Sequence, residues 1–228
     1  MGFSRYAVPQ QGTMVRTGAE RATLVRRTYS LVFASILVTI AGTAYAMSSP
    51  RMMDAVLAHP WIMLGCTFVP LIMAQVSRNS FPQNIGFVFL FTFAMGLYMA
   101  PGIAWAEAHN PGIAMQAAVL TLTAFGTLTA YAFISRRDFG AWGGFLFTGL
   151  IVLVVTSVLM MFMHSTAGYT WLASIGVLLF SGLLVFDTWR LRNVYGPDDY
   201  VLAAVNIYLD LLNMFMFILS LLSGGRKN

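Results

Sequence analysis

An all-α bundle of seven membrane-spanning helices is the fold class this sequence predicts, on three observations. Hydrophobic residues make up 58% of the 228, charged ones only 9%, and the mean hydropathy is +0.75, far from the range of water-soluble domains. Seven apolar runs, each near the ~20 residues that a spanning helix needs, follow one another with short polar breaks. The basic residues then divide unequally between alternate breaks.

Residues 1–27 read as a mobile basic tail, with Pro9, several glycines and Arg5, Arg16, Arg21, Arg26 and Arg27. The apolar runs lie at about 28–47, 60–76, 84–104, 115–134, 142–162, 170–190 and 201–222, each bounded by charge, Pro or Gly. Together, 28–222 form one transmembrane domain, and 223–228 a short C-terminal tail. The run from Thr28 closes on Ala44-Tyr45-Ala46, a pattern signal peptidase reads, but its ~20 apolar residues exceed the 7–15 of a signal segment. Pro70 removes a backbone bond inside the second run and should kink it. The runs are apolar on every face, without the period-two alternation of a membrane strand, so helices are expected over a barrel.

With the N-terminus in the cytoplasm, the inner segments carry the five tail arginines with Arg78, Arg136, Arg137, Arg190 and Arg192; the other side carries Arg51, Arg226 and Lys227. Basic residues are retained on the cytoplasmic side, so the expected topology is N-in and C-out. Twelve arginines against one lysine suggest a high-GC, bacterial genome, and hence a multi-pass protein of the bacterial inner membrane. The net charge of +5 comes from residues scattered at segment ends, which argues for topology signals and against nucleic acid. The single cysteine, Cys66, excludes an intramolecular disulfide and is expected as a small buried hydrophobe.

Two acidic residues fall inside apolar runs, Asp187 in the sixth and Asp210 in the seventh. An aspartate at a helix centre costs about 2.5–3.5 kcal/mol on insertion scales, so both should face the bundle interior or a cavity. Helical spacing puts Asp199, Asn206, Asp210 and Asn213 on one stripe of the last run. Gly176, Phe180, Leu183, Asp187 and Arg190 share a face of the sixth, with Arg190 able to pair with Asp187 and Gly176 open to close helix approach. If these faces meet, the carboxyls hold one proton between them and release it in two coupled steps, which suits a pH sensor, a proton relay or a transient cation site. The alternative is that each aspartate bonds an asparagine or Arg190 and merely pins helices.

Calcium prefers six to eight oxygens, so two carboxylates with a few amides predict weak, transient binding at Asp187 and Asp210, as conduction requires. Thr121, Thr123, Thr127 and Thr129 should bond their own helix carbonyls. His59, His109 and His164 lack metal-ligand spacing. Phosphate-cradling loops, paired cysteines and Ser/His/Asp arrangements are absent from the sequence, and neither aspartate sits in the G-x-G-D pattern of intramembrane aspartyl proteases, so no enzyme and no cofactor are expected.

The stretch from Phe180 through Asp187-Thr-Trp-Arg190, followed by Asp199 to Asn213 with Asn206 and Asp210, resembles the last two helices of the Bax inhibitor-1 family, the transmembrane Bax inhibitor motif proteins. The turn from Ser135 to Leu146 resembles that family's basic turn, and the similarity covers roughly 20 to 225. The resemblance implies a seven-helix fold with its last helix near the bundle centre. It also implies a pH-sensitive calcium leak whose sensor aspartates match Asp187 and Asp210. Arg78 stands nearest the family arginine that engages the first aspartate in the closed state. Some bacterial relatives are instead regulators of a membrane-anchored ATP-dependent protease. A non-conducting regulator of such a protease, or of another membrane complex, is therefore the alternative function, with the basic tail as docking segment.

Overall fold

A computed structural model describes residues 18–77, 80–163 and 166–224. The chain forms α1 (Gly18–Ser48), α2 (Pro50–Ala58), α3 (Pro60–Val76), α4 (Gln83–His109), α5 (Ile113–Ile134), α6 (Trp142–Met163), α7 (Thr166–Asn193) and α8 (Tyr200–Gly224). Among the described residues, α1 and α4 to α8 are long and apolar enough to cross a membrane. A seventh crossing requires α2 and α3 to be taken as one span, and these are bent by 96° at their junction.

The run expected over 60–76 is α3 itself, and the unexpected feature is α2 ahead of it, with the sharp break between the two. The cause of the break is local. Ser49 and His59 each precede a proline, which pushes them out of helical conformation, and Pro50 and Pro60 each sit where a helix begins. The Ser49 side chain accepts a bond from the Met52 amide and caps α2. Within α3 the helix runs through the buried Pro70, and within α4 through Pro101.

The tail also differs from expectation where it is described. Helix α1 begins at Gly18, ten residues before the apolar run, and Leu24 is fully buried in the core, so 18–27 belong to the folded body. Residues 1–17 and 225–228 lie outside the described residues, with the remainder of both expected tails.

Helices α1 and α4 meet backbone to backbone. A side chain at Gly42 would run into the Phe93 carbonyl, and one at Gly96 into the Thr39 carbonyl. This approach lets Thr39 Oγ1 donate to the Thr92 carbonyl at 3.1 Å and Thr43 Oγ1 to that of Gly96 at 3.0 Å. Small residues and hydroxyls are what hold helices together where lipid removes any hydrophobic gain from their contact. Helix α8 packs against α7, α1, α5 and α4 and is the most buried of the spans, at 56% of its most apolar stretch. Tyr208 on α8, fully buried, shares a 2.7 Å hydrogen bond with Thr39 of α1.

The links are short and chemically closed. Glu107 accepts from the Gly112 and Ala114 amides, satisfying donors that open α5, and Gly112 takes φ +82°, where a Cβ would be strained. At the other end of α5, Arg192 Nη1 lies 3.2, 2.8 and 3.0 Å from the Ala132, Phe133 and Ser135 carbonyls, tying α7 to the last turn of α5. Cys66 is exposed on α3 and not buried as expected. Since α3 is apolar on all sides, its sequence does not distinguish a lipid-facing position from a packed one.

Candidate functional site

The last two helices run antiparallel through the link 194–199 and make one of the most extensive contacts in the bundle. Gly176 explains part of it: the Phe217 ring of α8 lies where a Cβ would stand, and it stacks on Phe180 with centroids 5.8 Å apart. Nearer the link, this packing brings together the two acidic side chains. Asp187 is six residues from the end of α7 and Asp210 ten from the start of α8, depths of roughly 9 and 15 Å at the helical rise.

Both carboxyls are buried, Asp187 at 6% and Asp210 at 5% exposure, and they lie within hydrogen-bonding reach of each other. Two ionised carboxylates have only acceptors to offer, so a hydrogen bond between them requires a proton on one. Arg190 donates from Nη1 to Asp187 Oδ1 at 3.0 Å, one turn along α7. Asp210 Oδ2 is buried without a hydrogen-bond partner in the protein. An acceptor in that condition is a position from which a proton, a water or a cation can be held.

The pair faces a cleft of 550 Å³ between α6, α7 and α8, walled by Leu153 and Ser157 on one side and by Asn206, Asn213 and Phe217 on the other. Helix α6 packs chiefly on α7, which leaves this cleft beside α8. Asn206 donates to the Tyr195 hydroxyl at 2.9 Å, and Asn213 to its own helix at the Leu209 carbonyl. Neither amide bonds to the aspartates, yet both line the cleft that the aspartates face. Asp199 stands apart from this wall. It accepts from the Gly196 amide and closes the link instead.

Tyr195, in the 194–199 link, is a site residue that the sequence pattern does not mark. Its ring is buried under the Arg190 guanidinium, 4.7 Å from the centroid, while its hydroxyl takes the Asn206 bond. Burial, then the neighbouring charge of Asp187, push this phenol up to about 12. It thereby connects the cation paired with Asp187 to a residue of α8. A loop aromatic carries no periodicity, so only its place between Arg192 and the aspartate stripe could have drawn attention.

Other expected residues fall elsewhere. Arg78 and His164 lie outside the described residues. Thr121, Thr123 and Thr127 bond carbonyls four residues back, whereas the Thr129 hydroxyl is buried beside Tyr29. His109 Nδ1 meets the Trp105 carbonyl, and His59 is the hinge between α2 and α3. Among the described residues, no three His, Cys, Asp or Glu side chains gather as a metal cluster.

Fold and site together define a helical, multi-pass membrane protein that keeps a carboxyl pair inside its bundle. Residues 21–228 match the family described as inhibitor of apoptosis-promoting Bax1, and the chain belongs to it. It is 32% identical over 212 residues to Bax inhibitor 1 of Schizosaccharomyces pombe, covering 91% of this chain and 79% of that one. It is 30% identical over 210 residues to protein lifeguard 4 of Mus musculus, covering 91% and 87%. An uncharacterized membrane protein of Vibrio cholerae shares 29% over 208 residues, covering 90% and 91%.

Proposed function

We propose that the chain is a pH-regulated, calcium-permeable leak of the bacterial inner membrane, with its N-terminus in the cytoplasm and the Asp187 and Asp210 pair as sensor. The supporting observation is the buried carboxyl pair, with an unpartnered oxygen on Asp210, facing a cleft beside α8. With one proton between the carboxyls, α7 and α8 are latched at mid-depth. When the proton leaves, two like charges a hydrogen bond apart repel in a poorly solvated place, and the contact between the helices loosens.

The same event prepares the path. Two carboxylates flanked by the Asn206 and Asn213 amides attract a divalent cation, and the set falls short of the six to eight oxygens of a tight calcium site. Weak coordination completed by water lets the ion leave again. Arg190, one turn closer to the end of α7, neutralises Asp187 while the pair is latched and is steadied there by Tyr195. The role is passage through the membrane, with no covalent step.

The test is calcium-dye flux in liposomes carrying the purified chain, measured across pH. Wild type should leak with a pH-dependent rate, and Asp210→Asn should lose either the leak or its pH response. Flux unaltered by the substitution defeats the proposal. No flux above empty liposomes at any pH would leave the non-conducting regulator of a membrane-anchored protease as the better reading.

A further inference from the structure

A second cleft, of 890 Å³, opens at the end of the bundle where α1 and α4 begin. Its wall from α1 carries Arg26, Arg27 and Ser30 with Leu31 and Ala34 behind them; across from it stand Phe81, in the turn before α4, and Asn84, Ile85 and Phe89 of α4. The spacing is helical on both sides: 26/27, 30/31 and 34 on α1, 84/85 and 89 on α4. Asp198 and Tyr200 close the third side. Neither arginine makes an ion pair with a carboxylate among the described residues, and the Arg27 guanidinium lies over the Tyr200 ring at 5.7 Å. Two arginines against one aspartate leave the mouth net positive.

We propose that this cleft binds an anionic phospholipid, its phosphate between Arg26 and Arg27 and an acyl chain along Leu31, Ala34, Ile85 and Phe89. The depth of each residue selects a lipid. Residues 28–47 supply the 20 apolar positions that cross a hydrocarbon core of ~30 Å, so Arg26 and Arg27 stand at the headgroup boundary. Tyr200, opening α8 at the same boundary, has the amphipathic ring found at membrane interfaces. Past Ser30 and Asn84 the walls continue as Leu31, Ala34, Ile85 and Phe89, so polar recognition at the mouth gives way to a groove for hydrocarbon. A free phosphate would use only the mouth. Guanidinium forks suit a phosphodiester, and Ser30 adds a hydroxyl beside them.

The experiment is native mass spectrometry of the full chain in detergent, titrated with phosphatidylglycerol and with phosphatidylcholine. Wild type should retain phosphatidylglycerol preferentially. Each basic residue near an anionic surface contributes enough that Arg26→Ala/Arg27→Ala should weaken this binding by roughly thirtyfold. Arg136→Ala/Arg137→Ala, which removes the same charge at the same end of the bundle, should leave it within about twofold. Ala34→Phe keeps both guanidiniums and fills the groove, and it too should lose the lipid, while inorganic phosphate should not displace it. Equal retention of the two lipids, equal weakening in the two double variants, or displacement by inorganic phosphate alone would each overturn the proposal.

Discussion

The Arg192 clamp makes a contribution to stability whose size follows from its geometry. The carbonyls ending α5 have no partner within their own helix, and one guanidinium nitrogen serves those of Ala132, Phe133 and Ser135 at 2.8 to 3.2 Å. That nitrogen carries two N–H groups, so three contacts share two full bonds. Charge-assisted bonds contribute about 1.5–3 kcal/mol each, but carbonyls at the end of the bundle regain water when the cation goes. Arg192→Met, which keeps most of the aliphatic stem, should therefore cost about 2–3 kcal/mol. For a chain of this length each kcal/mol shifts the melting temperature by roughly 2–4 °C, so a fall of about 4–12 °C is expected. Circular dichroism melting in a fixed detergent measures it. Arg192→Lys, a point charge able to reach one or two of the carbonyls, should recover about half the loss. A Met variant within about 1 °C of wild type, or a Lys variant as damaged as the Met one, would refute the clamp.

Other consequences can be checked in the same preparation. Gly96→Ala places a methyl against the Thr39 carbonyl and should destabilise by about 1–3 kcal/mol, while Gly86→Ala, with open space around it, should be neutral or stabilising; equal melting of the two would contradict the close approach of α1 and α4. The Tyr195 phenol is raised to about 12 in the folded chain, so it keeps its proton between pH 10 and 12 where an unfolded chain releases it. Its contribution to stability is thus complete below pH 10 and is lost as pH climbs towards 12. Ultraviolet titration of wild type minus Tyr195→Phe should show one tyrosine ionising near pH 12, and ionisation near 10 would place that ring in water.

How much of this was legible in the sequence depends on which physical signal each residue carries. The spans could be read because a bilayer demands length and apolarity, which α1 and α4 to α8 satisfy. Asp187 and Asp210 could be read because a carboxylate inside an apolar run is costly, and Gly176 because 3.6-residue spacing put it on the face of Asp187. The pairing of Arg190 with Asp187 follows from the same spacing. Helix α2 escaped because PRMMDAVLA mixes polar and apolar residues over only nine positions, although the two prolines mark both its borders. Arg192 reads in the sequence as a topology charge, and nothing local shows that its partners lie some 60 residues earlier. Cys66 escaped because a helix apolar on every face has no sequence signal for which side meets lipid. Tyr195 escaped because its contacts belong to a tertiary corner, where spacing predicts nothing.

The central claim is that one proton bridges Asp187 and Asp210, and infrared difference spectroscopy of the carboxyl C=O stretch reads it most directly. Across a pH titration in reconstituted bilayers, wild type should show a protonated carboxyl signal that disappears in two coupled steps, and Asp187→Asn and Asp210→Asn should each reduce it to a single step at a changed midpoint. If the carboxyl left in either variant titrates as it does in the wild type, the two groups are independent and the sensor does not exist in this form.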